Sequence, residues 1–264
     1  MLKGITHAHS TYSDGEFTLA ELREVLSQAG CSFVCMTDHA EYFDDQRIKE
    51  YVRECAALSD EHFLFVPGLE FTCQRRMHVL GYGVTSLTSS DDPQEVIAHI
   101  KKAKGVSVIA HPMDSAFPWI ESFTELPRGI EAWNSKYDGR YAPRPGTFQL
   151  LNRLQQREPA MIATYGVDLH WKKQFRQLYT GLSCDSLDRD LILNSLFSGN
   201  YQGIKEQLAL PSNGVVADDL LISFGNRNRR SMRIRQLSKR VKKLADRFGA
   251  RIPEPVKGQL RRIF

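Results

Sequence analysis

The chain has 264 residues, of which 42% are hydrophobic and 25% are charged, and it contains 14 Phe, 9 Tyr and 3 Trp. This composition is close to the average of globular proteins, and it excludes collagen, coiled-coil and largely disordered chains. No stretch reaches the roughly 18 to 20 apolar residues needed to cross a bilayer, and the N-terminal sequence contains no apolar signal core, so we expect a cytoplasmic protein.

Short apolar strands alternate with helices along the chain. The predicted strands are Leu2–Thr6, Ser32–Met36, Phe63–Pro67, Met77–Tyr82, Val106–Ala110, Gly129–Ala132 and Ala160–Val167. The predicted helices are Thr18–Ala29, Arg47–Leu58, Pro93–Lys104, Phe148–Gln156 and Asp188–Phe197. A strand followed by a helix, repeated this often, indicates a mostly parallel sheet or barrel.

Positive charge is concentrated at the end of the chain. Residues 225–264 contain 14 Lys and Arg but only two acidic residues, which gives this segment a net charge of +12. The net charge of the whole chain is +4, so residues 1–224 carry −8. We therefore predict two parts with different roles, an acidic body over residues 1–224 and a basic tail over residues 225–264.

The basic tail has the pattern of an amphipathic helix. Between Ser231 and Phe248, apolar residues recur mainly every three or four positions, which places them on one helix face with Lys and Arg on the other. Three interpretations are open: a terminal helix packed on the body, a contact with nucleic acid, or a contact with an anionic membrane or partner. The tail has no aromatic residue before Phe248, so it lacks the stacking side chains typical of single-strand binding.

Six of the eight histidines lie beside predicted strand ends. They are His7, His9, His39, His78, His111 and His170, and Asp14, Glu70 and Asp168 are the carboxylates that accompany them. The carboxyl ends of parallel barrel strands converge at one mouth, where these side chains are expected to meet. So many titratable groups need a compensating cation. The sequence therefore predicts a cluster of divalent ions, and the mixed nitrogen and oxygen ligands favour Mn, Fe or Zn.

The segments around these residues resemble a known family. In chain order they are His7-Ala-His9-Ser10-Thr-Tyr-Ser-Asp14-Gly15, Thr37-Asp38-His39, Gly68-Leu-Glu70, His78-Val-Leu-Gly81, Ala110-His111-Pro112, Glu131-Ala-Trp-Asn134 and Gly166-Val-Asp168-Leu-His170. This series is similar to the polymerase-and-histidinol-phosphatase (PHP) family of metal-dependent phosphoesterases. The resemblance implies a distorted seven-stranded (β/α) barrel, to which this chain adds the basic helical tail. It also implies that two or three divalent ions are bound at a catalytic site by His7, His9, Asp14, His39, Glu70, His78, His111, Asp168 and His170.

Two features depart from the family pattern. Val167 stands where the last motif usually has a serine. Relatives that act on nucleotides and RNA ends often carry a helical insertion before the Ala-His-Pro motif, whereas the stretch from Tyr82 to Ile109 has room for one loop and one helix. This compact form favours a small substrate.

The expected reaction is hydrolysis of a phosphate ester through a metal-bound hydroxide. The first substrate hypothesis is a small phosphorylated metabolite, nucleotide or sugar. The alternative is a 3'-5' or 5'-3' exonuclease or other phosphodiesterase that holds nucleic acid with the basic tail. A non-catalytic protein with a degenerate metal site is a third hypothesis, which the complete set of ligand residues disfavours. No sequence feature indicates an oligomeric state.

Other polar residues are expected near the same mouth. Asp38 is a candidate for orienting an imidazole, and Glu131 and Asn134 lie at the end of a predicted strand. The candidates for contacts with the substrate phosphate are Lys136, Arg140, Arg144, Lys172 and Lys173, which all follow predicted strand ends.

Overall fold

The computed structural model describes residues 1–139, 141–184 and 186–247. Within these residues the chain forms twelve strands and seven α-helices. The strands are β1 (Leu2–Ala8), β2 (Phe33–Met36), β3 (Asp38–His39), β4 (Leu64–Val66), β5 (Gly68–Cys73), β6 (Met77–Tyr82), β7 (Val106–Ala110), β8 (Gly129–Asn134), β9 (Ile162–Leu169), β10 (Tyr179–Leu182), β11 (Tyr201–Lys205) and β12 (Leu208–Pro211). The helices are α1 (Leu19–Gln28), α2 (Asp45–Ala57), α3 (Pro93–Lys102), α4 (Phe117–Glu121), α5 (Pro145–Gln155), α6 (Arg189–Ser198) and α7 (Asp218–Arg247).

All twelve strands belong to one mixed sheet. Its hydrogen-bonded order is β12-β11-β10-β1-β9-β8-β7-β6-β5-β3, and β2 joins it by pairing with β1 and β4. The pairs β1–β2, β1–β9, β8–β9 and β7–β8 are parallel, whereas β5–β6 and β6–β7 are antiparallel. Because of this parallel pairing, the carboxyl ends of β1, β3, β7 and β9 lie at one edge of the sheet.

The sheet is covered by helices and its central strands are buried. Every residue of β7, β8 and β9 is buried, and Trp133, Tyr82 and Tyr165 are among the largest side chains with no exposed surface. The helices begin where the sequence provides caps: Thr18 and Glu21 form a capping box before α1. This packing gives the strand ends a rigid support.

The predicted strands and helices of the body are confirmed, but the seven-stranded barrel is not. The sheet is not closed, because its path runs from β12 to β3 and because β10, β11 and β12 extend it beyond β1. Two predicted strand regions are also each followed by a separate strand, with the interruptions at Thr37 and Pro67. The structure shows a mixed α/β fold with one large sheet.

Helix α7 is longer than the amphipathic helix that the sequence predicts. It begins at Asp218 and crosses the predicted boundary between residues 224 and 225, while Phe248 lies outside the described residues. Phe224 is buried and its ring stacks on Phe148 of α5 at a centroid distance of 6.4 Å. Further along the helix, Met232 and Leu237 are exposed. None of the helices in the described residues has both the length and the apolar character of a membrane span.

Candidate metal centre

All nine predicted ligand residues meet in one cluster beside the strand ends. They form four overlapping groups whose ligand atoms lie within 4.8 Å of one another in each group. The groups are His9, Asp14, His39 and His170; His7, His9 and Asp168; His7, Glu70 and His111; and His39, Glu70 and His78. The structure therefore brings together all nine residues that the family resemblance implied as ligands, in an arrangement that could hold more than one cation.

Glu70 of β5 lies at the centre of the cluster. Its Oε2 atom is 3.1 Å from His9 Nε2 and 3.3 Å from His7 Nε2. Its Oε1 atom is 2.8 Å from His78 Nδ1 and 3.4 Å from His111 Nε2. Because the two oxygens face different pairs of imidazoles, Glu70 belongs to two of the four groups that could hold a cation.

Asp168 and Asp14 provide the oxygens on the other side of the cluster. Asp168 Oδ1 lies 3.0 Å from His170 Nδ1 and 3.6 Å from His7 Nε2. Asp14 Oδ1 lies 3.3 Å from His170 Nε2 and 3.8 Å from His39 Nε2. The Asp14 side chain is 40% exposed, whereas Asp168 is buried, so the cluster opens to solvent on the side of Asp14.

Three of the ligand residues adopt a left-handed backbone conformation. The φ angles are 65° at His7, 31° at His111 and 53° at Asp168, and such values are uncommon for residues other than glycine. His7 lies where the pairing of β1 with β2 and β9 shifts register between Thr6 and Ala8. Residues strained in this way persist only where the surrounding structure holds them in place, and they concentrate at functional sites. The two register shifts direct His7 into the cluster.

Glu131 contacts the His7 imidazole on the side of the ring that faces away from Glu70 and Asp168. Its Oε1 atom lies 2.8 Å from His7 Nδ1, which leaves His7 Nε2 directed toward Glu70 and Asp168. Its Oε2 atom accepts hydrogen bonds from the backbone N–H of His111 and from Asn134 Nδ2. The sequence placed Glu131 and Asn134 at the mouth, and the structure shows that they connect three of the strands that carry ligands.

Asp38 accepts hydrogen bonds from the turn that follows His9. Its carboxylate accepts hydrogen bonds from the Ser10 backbone N–H, from Ser10 Oγ and from Ser13 Oγ, at 2.6 to 2.9 Å. These hydrogen bonds come from the turn after His9, which folds back over Asp38, and the orienting contact with an imidazole stays a prediction. Asp38 thus fixes the loop that leads from His9 to Asp14. Ser10 and Ser13, which follow His9 in the sequence, are the features that could have predicted this contact.

Of the five predicted phosphate-binding cations, Lys136 lies in the cluster. Its Nζ atom is 3.0 Å from Asp168 Oδ1 and 3.2 Å from His170 Nδ1. Arg144 instead forms ion pairs with Asp138 and Asp114, and Lys172 pairs with Glu21 of α1. Lys173 is exposed, and Arg140 lies outside the described residues.

Burial and charge have opposite effects on the ionisation of these groups. Burial by itself lowers the pKa of His7, but the charges of Glu131, Asp168 and Glu70 outweigh it and the pKa of His7 lies well above its usual value. Burial lowers the pKa of His9 to about 3. Burial raises the pKa of Glu70, but His7 and the hydrogen bonds from His111, His7 and His78 reverse this effect and place it well below its usual value. A negative centre thus faces a neutral His9, a combination suited to a cation.

The unpaired nitrogens of the cluster fit a metal. Both ring nitrogens of His9 and Nδ1 of His39 are buried without a hydrogen bond of acceptable geometry to any described group. Leaving buried polar atoms unpaired is costly, and in native proteins such atoms usually have a partner. Divalent ions coordinated by imidazole would satisfy one ring nitrogen of His9 and Nδ1 of His39, and the carboxylates would balance the charge. The residues present therefore fit divalent cations.

The cluster and the sheet define a class of protein, an α/β domain whose strand ends carry residues that could hold metal ions, and the family comparison agrees. The model of the PHP domain matches residues 6–154, which is more than half of the chain. The chain belongs to the PHP domain family, as the sequence motifs indicated. The match includes seven of the nine clustered residues, and Asp168 and His170 lie just beyond it.

Among curated proteins, the chain is similar to the DNA polymerase/3'-5' exonuclease PolX of Bacillus subtilis (strain 168). The two are 30% identical over 139 residues. The matched segment is 42% of this chain but only 23% of that protein, so the chain spans less than a quarter of the length of this relative.

Two solved structures share the fold. One is a two-domain protein from Bacteroides vulgatus described as containing a predicted PHP-like metal-dependent phosphoesterase, with a TM-score of 0.55 and 19% identity over 85% of this chain and 69% of the other. The second is PsfC from Pseudomonas syringae PB-5123, with a TM-score of 0.53 and 16% identity over 86% of this chain and 98% of the other. At these identities the likeness concerns the fold.

Proposed function

We propose that this chain is a metal-dependent hydrolase of phosphate esters. The observation that carries the proposal is the position of Glu70, whose two carboxylate oxygens face two different pairs of imidazoles in the centre of the cluster. Sites that hold two divalent ions close together are typical of enzymes that hydrolyse phosphate esters. Membership of the PHP family supports the same reaction class.

The clustered residues have separate tasks in this proposal. Two or three ions, with Mn, Fe or Zn favoured by the nitrogen-rich ligand set, would be held by the six histidines together with Asp14, Glu70 and Asp168. When bound, such ions supply an activated water and neutralise the phosphate oxygens. Glu131 keeps His7 in the tautomer that presents Nε2 to the cluster. Lys136 is placed to hold a phosphate oxygen beside Asp168, since its ammonium group already lies at that position.

Two substrate classes follow from different observations. A small phosphorylated metabolite, nucleotide or sugar fits the compact form of the chain, in which the segment between β6 and β7 contains α3 alone. A nucleic acid is favoured by the arginines of α7 and by the likeness of part of the chain to an exonuclease-containing polymerase. The cytoplasmic location and the separate role of residues 225–264 are further parts of this proposal.

Product analysis of the manganese-loaded protein tests the proposal. We would incubate it with short RNA and DNA oligonucleotides, nucleotides and sugar phosphates, next to a chelated sample. Release of inorganic phosphate from small esters supports a phosphatase, and release of mononucleotides supports a nuclease. Replacement of both His7 and His9 by alanine is expected to abolish turnover, and His62→Ala, whose imidazole is 83% exposed, serves as the control. Full turnover by the double variant would show that the site assignment is wrong.

A further inference from the structure

A groove runs between α7 and the loop that follows β8, and we call it the α7 groove. It contains two cavities of about 430 and 680 Å³. Arg227 and Arg230 line the first, and Arg229 and Arg233 line the second. The opposite wall consists of the loop after β8 and the segment after His111, including Tyr137, Tyr141 and Met113.

The α7 groove begins beside the metal centre. The ring of Tyr137, which lines the larger cavity, lies 4.3 Å from the ring of His111. Asp138, which borders both cavities, accepts a hydrogen bond from the backbone N–H of Asn134, and Asn134 Nδ2 lies 3.3 Å from Asp168 Oδ2. A ligand that lies in the groove can therefore extend into the cluster.

The charges in the α7 groove favour an anionic ligand. Arg227, Arg229, Arg230 and Arg233 are exposed, and none of them forms a salt bridge with a carboxylate in the described part of the chain. The two aspartates at the groove, Asp114 and Asp138, are paired with Arg144. Arg229 and Arg233 are one helical turn apart, so their guanidinium groups lie on the same side of α7. Four arginines along one groove suit a chain of phosphates better than a single phosphate.

Three exposed aromatic rings lie beside histidines of the metal centre, and a fourth lines the smaller cavity. Tyr42, Tyr137, Tyr141 and Trp171 are 45% to 49% exposed. Tyr42 lies 6.4 Å from the His39 ring and Trp171 lies 5.6 Å from the His170 ring, whereas Tyr141 lines the smaller cavity. Rings that are half exposed at a charged site offer stacking surfaces for unpaired bases. The body thus supplies the stacking side chains that the basic tail lacks.

We propose that the α7 groove binds the phosphodiester backbone of a single-stranded nucleic acid and directs one end of the strand to the metal centre. The inference rests on the proposed phosphoesterase function and specifies its substrate class. A single strand is required, because bases paired in a duplex cannot stack on Tyr137 or Trp171. An anionic membrane is the less suitable partner, because the arginines line a concave groove instead of flanking a flat apolar face.

Binding and chemistry are measured separately to test this inference. The binding probe is a fluorescein-labelled oligo(dT) of about 12 nucleotides. Its binding to protein kept metal-free by a chelator is measured by fluorescence anisotropy at a series of salt concentrations. The test variant is Arg229→Glu/Arg233→Glu, and the matched control is Arg53→Glu/Lys102→Glu, which makes the same charge change on exposed residues of α2 and α3. The test variant is expected to bind about tenfold or more weakly, because two charged hydrogen bonds are lost. The slope of log affinity against log salt is expected to fall by about 1.4, which is the value for two phosphate contacts in a single strand.

The chemistry is followed with bis-p-nitrophenyl phosphate, which is too small to fill the groove. Hydrolysis of this ester by the manganese-loaded control variant, Arg53→Glu/Lys102→Glu, is expected to match the unmodified chain. Unchanged oligonucleotide affinity in the test variant, or an equal loss in the control, would overturn the groove assignment. Binding to vesicles containing phosphatidylserine without binding to oligo(dT) would also overturn it. If the ester is not hydrolysed while the arginine-dependent binding persists, the phosphoesterase proposal fails and the groove assignment stands.

Discussion

Glu131 connects the metal ligands without facing the centre of the cluster. Its carboxylate contacts His7 Nδ1, the backbone N–H of His111 and the side-chain amide of Asn134. A carboxylate in this position makes the imidazole a better ligand and fixes its tautomer. We expect Glu131→Gln to lower metal affinity by about 10- to 100-fold, because the amide removes the charge and turns one acceptor into a donor.

Metal competition with a chromogenic chelator measures this effect. High metal concentration is expected to restore hydrolysis in Glu131→Gln, since the ligands themselves remain. Glu125→Gln, at an exposed carboxylate that pairs with Lys101, is the control with unchanged affinity. Equal metal affinity in Glu131→Gln and the unmodified chain would show that this carboxylate does not support His7.

Lys136 places a fixed positive charge inside the cluster, 3.0 Å from Asp168 Oδ1. The ammonium group competes with a cation for this oxygen but suits the negatively charged substrate. Lys136→Met removes the charged hydrogen bond to Asp168, so we expect metal affinity to rise by about tenfold. It also removes the charged hydrogen bond that Lys136 would donate to a substrate phosphate, so we expect KM for a phosphate ester to rise. Isothermal titration with Mn²⁺ and steady-state kinetics provide the two values. Lower metal affinity in Lys136→Met would contradict the competition.

At the scale of the elements, β9 has to pass close to Glu131 of β8. A Cβ atom on Gly166 would lie 1.7 Å from Glu131 Oε1 and 3.0 Å from His7 Cβ. We expect Gly166→Ala to displace Glu131, to weaken metal binding, and to destabilise the fold by about 1–3 kcal/mol through overpacking. Urea unfolding and metal titration measure the two effects.

Gly225→Ala in α7 is the matched substitution. There a Cβ atom would meet Pro145 at 3.6 Å, which is an ordinary contact, so the helix is expected to gain up to about 1 kcal/mol. Similar stability changes for the two alanine variants would contradict the close approach of β9 to Glu131.

The elements also show what the sequence could predict. Strands with strong apolar runs, such as β7 and β9, and helices with caps, such as α1 and α3, were predicted from local signals. Strand β5 was missed, because Pro67 interrupts the apolar run before it, although its Glu70 was recognised from the motif. The early start of α7 was missed since Gly225 and several polar residues hide the helical period between Asp218 and Ser231. The nine clustered residues were predicted because their chemistry is visible in the sequence, whereas the contacts of Asp38 and Glu131 depend on packing between distant segments.

At the scale of the whole molecule, the cluster brings together residues that are distant in sequence. His7 and Asp14 lie near the N-terminus, and His170 follows more than 150 residues later. Apart from Asp14, the clustered residues lie on or directly after β1, β3, β5, β6, β7 and β9, so bound cations would tie these strands to one another. Buried nitrogens of His9 and His39 have no hydrogen-bond partner in the described part of the chain, and coordination by a cation would supply one. Stability and metal binding are therefore coupled through the fold itself.

Metal removal is thus expected to lower the melting temperature of the whole chain. Ions bound at about 100 times their Kd stabilise the native state by about 2.7 kcal/mol, since the unfolded chain has no assembled site. For a chain of this size that free energy corresponds to roughly 5–10 °C in Tm. Calorimetry before and after chelation measures the shift, and the His7→Ala/His9→Ala variant is expected to show a much smaller one. A shift of equal size in that variant would place the stabilising metal elsewhere, because His7 and His9 belong to three of the four ligand groups.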